Sequence, residues 1–125
     1  MKFLNHYFSE YKKLLEFDKK EIKKILTLKE TLKKLKKNKK KILIFGNGGS
    51  AAIASHFSVD LTKNAKIKAV NFNEADLITC FANDYGYENW VKEAVDFYAD
   101  KKDLFICISS LIIFFTRAST MLYYW

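Results

Sequence analysis

A chain of 125 residues with 50% hydrophobic content can build one domain with its own core, but not several. Its formal charge of +8 is uneven: residues 1–41 hold 15 lysines against 5 acids, and residues 42–125 hold 7 basic and 9 acidic residues, so the basicity belongs to the N-terminal segment alone. No apolar run approaches the roughly 18 residues of a membrane span, no signal-peptide pattern follows Met1, and Cys80 and Cys107 offer neither a disulfide framework nor zinc-ligand spacing. The expectation is a cytoplasmic protein with both thiols buried as small hydrophobes.

The chain opens with Phe3, Leu4, Tyr7, Phe8, Tyr11, Leu14 and Leu15 at helical spacing. Ile22, Ile25, Leu26, Leu28, Leu32 and Leu35 repeat the stripe over residues 19–37, with lysines on the outer face. Asp18 is placed to cap a second helix, so two helices or one long bent helix are expected. The apolar stripe needs a partner: its own sheet, a second subunit, or both. The lysine face reads as a solvated surface, since no zinc-finger, RRM or KH signature and no aromatic platform accompanies it. Neither nucleic acid nor membrane is expected as a partner.

After the connector at residues 38–41, Ile42 to Phe45 form an apolar run without alternation, the mark of a strand buried on both faces. Gly46-Asn47-Gly48-Gly49-Ser50 ends it, and a helix is expected from Ser50, as N-cap, to about Lys63. A strand, a glycine loop and a helix N-terminus together make an anion site, most often one for phosphate. The loop is not a P-loop, because GxxxxGK[ST] is absent. It fits a loose GxGxxA pattern, but the acidic residue that dinucleotide binding wants about 20 positions on is missing. His56 and Asp60 share a helical face. Such a pair can hold a divalent metal, act as a base and its partner, or be an exposed pair worth a few tenths of a kcal/mol.

Further along, residues 66–72 read as a second strand, residues 71–73 as a turn, and residues 74–81 as a short helix or turn. A polar loop over 82–86 follows, then a helix over 87–99 with Trp90, Val91, Ala94, Val95 and Tyr98 on one face. Leu104 to Ile108 form a third buried strand ending at Ser109-Ser110. This alternation predicts an α/β fold with a parallel sheet and right-handed crossovers. Residues 111–125 break the pattern: the run stays apolar, without glycine, with Arg117 as its one charge.

Gly46-Asn47-Gly48-Gly49-Ser50-Ala51-Ala52, then His56-Phe57, a carboxylate at position 60, Asn83-Asp84-Tyr85-Gly86-Tyr87 and Ile108-Ser109-Ser110, resemble in order and spacing the SIS (sugar isomerase) domain, and within it the phosphoheptose isomerase (sedoheptulose 7-phosphate isomerase) group. The resemblance covers about residues 1–110. It implies a flavodoxin-like parallel sheet flanked by helices, with N-terminal helices that take part in a homo-oligomer, a tetramer in the family. It further implies a sugar phosphate bound at the strand C-termini by Asn47, Gly48, Gly49 and Ser50, with Asn83, Asp84, Ser109 and Ser110 lining the same site. His56 and Asp60 become metal ligands, zinc being the implied ion. Asp60 becomes the base that moves a proton between C1 and C2 through an enediol, with His56 beside it. The expected organisation is a helical oligomerisation segment over 1–38, a partial SIS domain over 39–110 and an aberrant apolar tail over 111–125.

Three departures bear on that reading. Position 60 is Asp, one methylene shorter than the family's Glu, and a base misplaced by about 1 Å loses on the order of 10²-fold in rate. Ile53 stands where the motif often carries Asp. Ser110 is followed by Leu111 in place of a serine-glycine loop and the later units that supply a Gln and a His. The expectation is a truncated or frameshifted end, a third strand with an uncovered edge, and a chain that does not isomerise on its own. The alternative function is a non-catalytic sugar-phosphate-binding or regulatory SIS module.

Overall fold

The computed structural model describes residues 1–109 and the backbone of residues 113–117. It divides into two compact units, Met1–Lys33 and Lys34 onward. The elements in chain order are α1 (Lys2–Lys13), α2 (Lys19–Lys37), β1 (Ile42–Gly46), α3 (Gly49–Lys63), β2 (Ala69–Asn71), α4 (Ala75–Tyr85), α5 (Trp90–Tyr98), β3 (Leu104–Ile108) and β4 (Ile113–Arg117). No helix among the described residues is long and apolar enough to cross a membrane.

In the first unit the choice between one helix and two is settled at Asp18. Its Oδ1 accepts the Glu21 N–H at 2.7 Å, and Glu21 Oε2 accepts the Asp18 N–H at 2.9 Å. This reciprocal capping box starts a new helix. The rings of Phe3, Tyr7 and Tyr11 stack along α1 with centroids 6.3 and 6.4 Å apart, and all three remain exposed.

The second unit begins on the last turn of α2, where Leu35 is buried. Lys39 adopts φ 53°, and the N–H groups of Lys39 and Lys40 bond back to the carbonyls of Lys36 and Leu35 at 3.1 and 3.0 Å. That is a Schellman stop, with lysine in the position glycine usually takes. The four strands lie in the order β2-β1-β3-β4. β1 pairs in parallel with β2 and β3, with Ile42 opposite Leu104 and Gly46 opposite Ile108.

Alternation along the strands builds two layers. Leu43, Phe45, Phe105 and Cys107 face a cluster made with Phe72 and with Trp90, Val91, Ala94 and Val95 of α5. Phe45 lies at its centre, its ring 4.8 Å from Phe72, 5.1 Å from Phe105 and 5.8 Å from Trp90. Ile42, Ile44 and Ile106 are as deeply buried and turn to the other face. There α3 packs on β1, β2 and β3, with Ala54, Ser58 and Leu61 buried. The parallel α/β sheet flanked by helices is the one expected.

Four local expectations change. β2 is shorter than 66–72, because Lys66 turns at φ 57° and the Ile67 N–H bonds to the Leu61 carbonyl, which ties the approach to α3. α4 runs through 82–85, so Asn83 and Asp84 are helical; nothing breaks the helix before Gly86, and both polar side chains stay exposed. Cys80 is exposed on α4, while Cys107 is buried as expected. The outer edge of β3 is not bare: β4 pairs with it antiparallel, Ile108 opposite Ile113 and Leu104 opposite Arg117. So short a connection cannot span a parallel crossover, which takes a dozen residues or more, and only a hairpin is open to it. The rest of the 111–125 tail, and Ser110, lie outside the described residues.

Asp103 fixes the base of the sheet. Its carboxylate, 1% exposed, accepts the N–H of Lys41 at 3.0 Å and of Asp100 at 2.9 Å. Lys41 Nζ stands 2.6 Å from both Asp103 and Asp100. Burial works against the charge on Lys41, but hydrogen bonds to Asp100 and Asp103 carry its pKa above the ordinary value, and the bond from Lys41 holds the Asp100 carboxyl below its ordinary 3.8. Removing one partner of a buried pair costs on the order of 3 kcal/mol, so Lys41→Met should lower the urea midpoint clearly. The share of stability due to Asp100 is complete above its ordinary value and is lost as pH falls through its depressed folded value. That due to Lys41 is present at every pH below its ordinary value near 10.5. The gap between the parent chain and Lys41→Met should therefore hold constant from neutrality to about pH 5 and narrow only in stronger acid. Narrowing already near pH 6, in urea melts read by circular dichroism, would exclude this tie as its source.

Candidate functional site

A cavity of about 420 Å³ opens at the C-terminal ends of β1 and β3. That is within the usual range for a small-molecule site. Three chain segments converge on it: Phe45, Gly46, Asn47 and Ser50 from the end of β1 and the start of α3, Tyr87, Glu88, Trp90 and Val91 from the segment leading into α5 and its first turn, and Cys107, Ile108 and Ser109 from the end of β3 and just past it. Open parallel sheets place ligands at this edge, where successive connections leave toward opposite faces.

The β1–α3 turn is tight for a steric reason. A Cβ on Gly46 would stand 2.5 Å from the Ser50 carbonyl carbon and 2.8 Å from the Ala51 nitrogen, both backbone atoms that cannot swing aside. Gly46 thus lets the first turn of α3 sit directly on the end of β1. The N-cap is Gly48 rather than Ser50, and no side chain caps the helix. The backbone caps itself instead: the Ser50 N–H bonds to Asn47 O and the Ala51 N–H to Gly48 O, each at 3.0 Å. Ser50 falls inside the helix and turns to the cavity.

The far side of the same turn is pinned by Asn73, just past β2. Its Nδ2 donates to the Ala51 carbonyl at 2.6 Å and to Ser55 Oγ at 2.5 Å, while Ser55 Oγ also donates to Ala51 O at 3.1 Å. Asn71 Nδ2 donates to the buried Ser58 Oγ at 2.9 Å. Two asparagines from the β2 exit therefore fix the azimuth of α3, and with it the position of Ser50.

Of the residues picked out in the sequence, Asn47, Ser50 and Ser109 line the cavity. Gly48 and Gly49 belong to the same turn with open space beside them, but are not among the lining residues. Asn83 and Asp84 are elsewhere, on the exposed side of α4, where Asp84 Oδ1 accepts from Asn83 Nδ2 at 3.0 Å and Oδ2 accepts from Cys80 Sγ at 3.6 Å. The charge of Asp84 pushes the Cys80 thiol pKa up. His56 Nε2 and Asp60 Oδ2 are 3.5 Å apart on α3, and Asp60 Oδ1 accepts from Asn64 Nδ2 at 3.1 Å. Both side chains are well exposed, and neither lines the cavity. Two donors are one short of the three protein ligands of a catalytic zinc site, and among the described residues no group of three or more His, Cys, Asp or Glu converges. The described residues do not by themselves make a metal centre.

Tyr87, Glu88 and Trp90 were not picked out from the sequence as site residues. The available signal was an acid two positions past a loop glycine, in the connection that leads toward β3. Cys107 also lines the cavity, but burial pushes its thiol pKa up, so it is a protonated wall and not a nucleophile.

The sequence matches the SIS domain family over residues 6–111. It is 32% identical over 117 residues to a phosphoheptose isomerase of Fusobacterium nucleatum, covering 88% of this chain and 60% of that protein. It is 38% identical over 101 residues to a phosphoheptose isomerase of Aliarcobacter butzleri, covering 70% of this chain and 53% of that one. The structure superposes on phosphoheptose isomerase GmhA from Neisseria gonorrhoeae with a TM-score of 0.67 at 31% identity, covering 86% of this chain and 59% of that chain. The chain belongs to the SIS domain family, and it spans no more than about 60% of the length of these relatives.

Gly46→Ala should test the geometry of the turn. The added methyl must push α3 off β1, at a cost of about 1–3 kcal/mol. Asn73→Ala removes two hydrogen bonds to the same turn and should cost a similar 1–3 kcal/mol. Unchanged denaturation midpoints for both variants would mean that the turn is not held as described.

Proposed function

We propose that this chain binds a sugar phosphate in the cavity at the β1 and β3 C-termini, as part of a protein of the phosphoheptose isomerase type. The observation that carries this is the convergence of Asn47, Ser50 and Ser109 on one cavity of suitable volume beside the N-terminus of α3. Hydroxyl and amide groups can donate to phosphate oxygens without a cationic side chain, and the helix N-terminus adds a favourable partial charge. Gly48 and Gly49 would contribute peptide N–H groups at the same edge. Ser110 would continue the phosphate contact from the end of β3.

The reaction of that type is an aldose–ketose isomerisation, in which a base carries a proton between C1 and C2. By resemblance Asp60 is the base and His56 its partner, and both would be ligands of a divalent ion, zinc in the family, whose other donors must come from outside the described residues. In this chain Asp60 is engaged by Asn64 and lies off the cavity. This specific observation favours the second reading, a module that binds sugar phosphate without turning it over. Asn83 and Asp84 would join the ligand by resemblance, though both are exposed on α4 and neither lines the cavity. The remaining proposals are that residues 1–38 form an oligomerisation segment through the exposed rings of α1, that 39–110 form the SIS portion and 111–125 an apolar tail aberrant for the family, and that the protein works in the cytoplasm.

Sedoheptulose 7-phosphate should raise the melting temperature of the purified chain in a saturable way. At a hundredfold excess over Kd the gain is about 2.7 kcal/mol, a shift of several degrees for a domain of this size. No aldose product should appear in a coupled assay. Formation of product would restore the catalytic reading; absence of any shift beyond that given by an inert salt at equal ionic strength would remove the sugar-phosphate reading altogether.

A further inference from the structure

We propose that Glu88 sets what the cavity accepts: a ligand with one anionic group and several hydroxyls. This rests on the cavity being a sugar-phosphate site. Glu88 is the one carboxylate among the described lining residues, and no Lys, Arg or His joins it there. It comes from the segment leading into α5, whereas Asn47 and Ser50 come from the turn into α3. These two helices cover opposite faces of the sheet. The acid and the phosphate-binding turn therefore approach the strand ends from opposite sides.

Space for the Glu88 carboxylate is made by Gly86. Gly86 ends α4 with φ 89°, and a Cβ there would stand 2.9 Å from Glu88 Oε1, 3.1 Å from Cδ and 3.2 Å from Oε2. Any other residue at 86 would be strained by its φ, and the exposed Glu88 carboxylate would have to swing aside to admit its Cβ. The head group of Glu88 is folded back over the loop glycine, and Glu88 is among the residues that line the cavity.

An ionised carboxylate only accepts hydrogen bonds. It meets sugar hydroxyls with charge-assisted bonds, stronger than neutral ones, and it repels a second phosphate. With donors at one side and an acceptor-only anion at the other, the cavity has a polarity that orients a monophosphorylated polyol and disfavours a bisphosphate.

The test is calorimetric titration of the full chain and of Glu88→Gln with sedoheptulose 7-phosphate, sedoheptulose 1,7-bisphosphate and inorganic phosphate. Glu88→Gln keeps the shape, and circular dichroism checks the fold. The parent chain should prefer the monophosphate. Glu88→Gln should bind it roughly tenfold more weakly, bind inorganic phosphate at least as well as before, and lose most of the preference over the bisphosphate. Glu88→Asp, which keeps the charge with a shorter reach, should keep that preference while losing part of the affinity. Equal affinities and equal preference in the parent chain and Glu88→Gln would overturn this inference and leave the sugar-phosphate reading standing. No binding of any of the three by the parent chain would overturn both.

Discussion

One buried carboxylate sets the frame of this sheet. Asp103 is almost wholly withdrawn from water, a costly position for an ionised group unless it is fully bonded. Its bonds to the Lys41 and Asp100 N–H groups and to Lys41 Nζ meet that need. They also fix where β1 and β3 begin relative to each other. Since both strands are five residues long and parallel, fixing their starts fixes their ends. Gly46 and Ile108 come level, and the turns that follow them open on one cavity. The site at one edge of the sheet thus depends on an ionic tie at the other.

What the sequence shows of this frame follows from how much side-chain information each segment carries. Ile42 to Phe45 and Leu104 to Ile108 are uninterrupted apolar runs, and a run of that length has few places to go except a sheet buried on both faces. The α5 face was legible for the same reason: Trp90, Val91, Ala94 and Val95 recur at helical spacing, and all four are buried. The boundary of α4 was not legible, because Ala82-Asn83-Asp84 looks like a loop by composition while nothing in it forbids helix. Asp103 itself reads only as a polar residue before a strand; its partner, Lys41, is remote in sequence.

The candidate site divides along the same line. Local motifs found the glycine turn and Ser109, since each adjoins a recognisable strand. The pairing of His56 with Asp60 is correct as helical geometry, 3.5 Å apart. Where that helical face lies is a tertiary fact, set by Asn71 and Asn73 clamping α3, and neither His56 nor Asp60 lines the cavity. Glu88 was missed because its neighbour in space is a loop glycine's vacant Cβ position, and no sequence pattern displays an absent side chain.

The approaches to the three parallel strands share one feature. Lys39, Lys40 and Lys41 precede β1, Lys66 and Lys68 precede β2, and Lys101 and Lys102 precede β3, with three of these residues at positive φ. These lysines stand at the strand N-termini, for β1 and β3 one strand length, about 17 Å, from the cavity edge, whereas Lys92 lies on the first turn of α5 beside the lining residue Val91. At physiological ionic strength the Debye length is about 8 Å. Mobile ions therefore screen these lysines before their field reaches an approaching anion. Capture of a phosphorylated ligand would draw little from these lysines by long-range steering, and the salt dependence of its association would be set by the charges beside the cavity, Lys92 and Glu88.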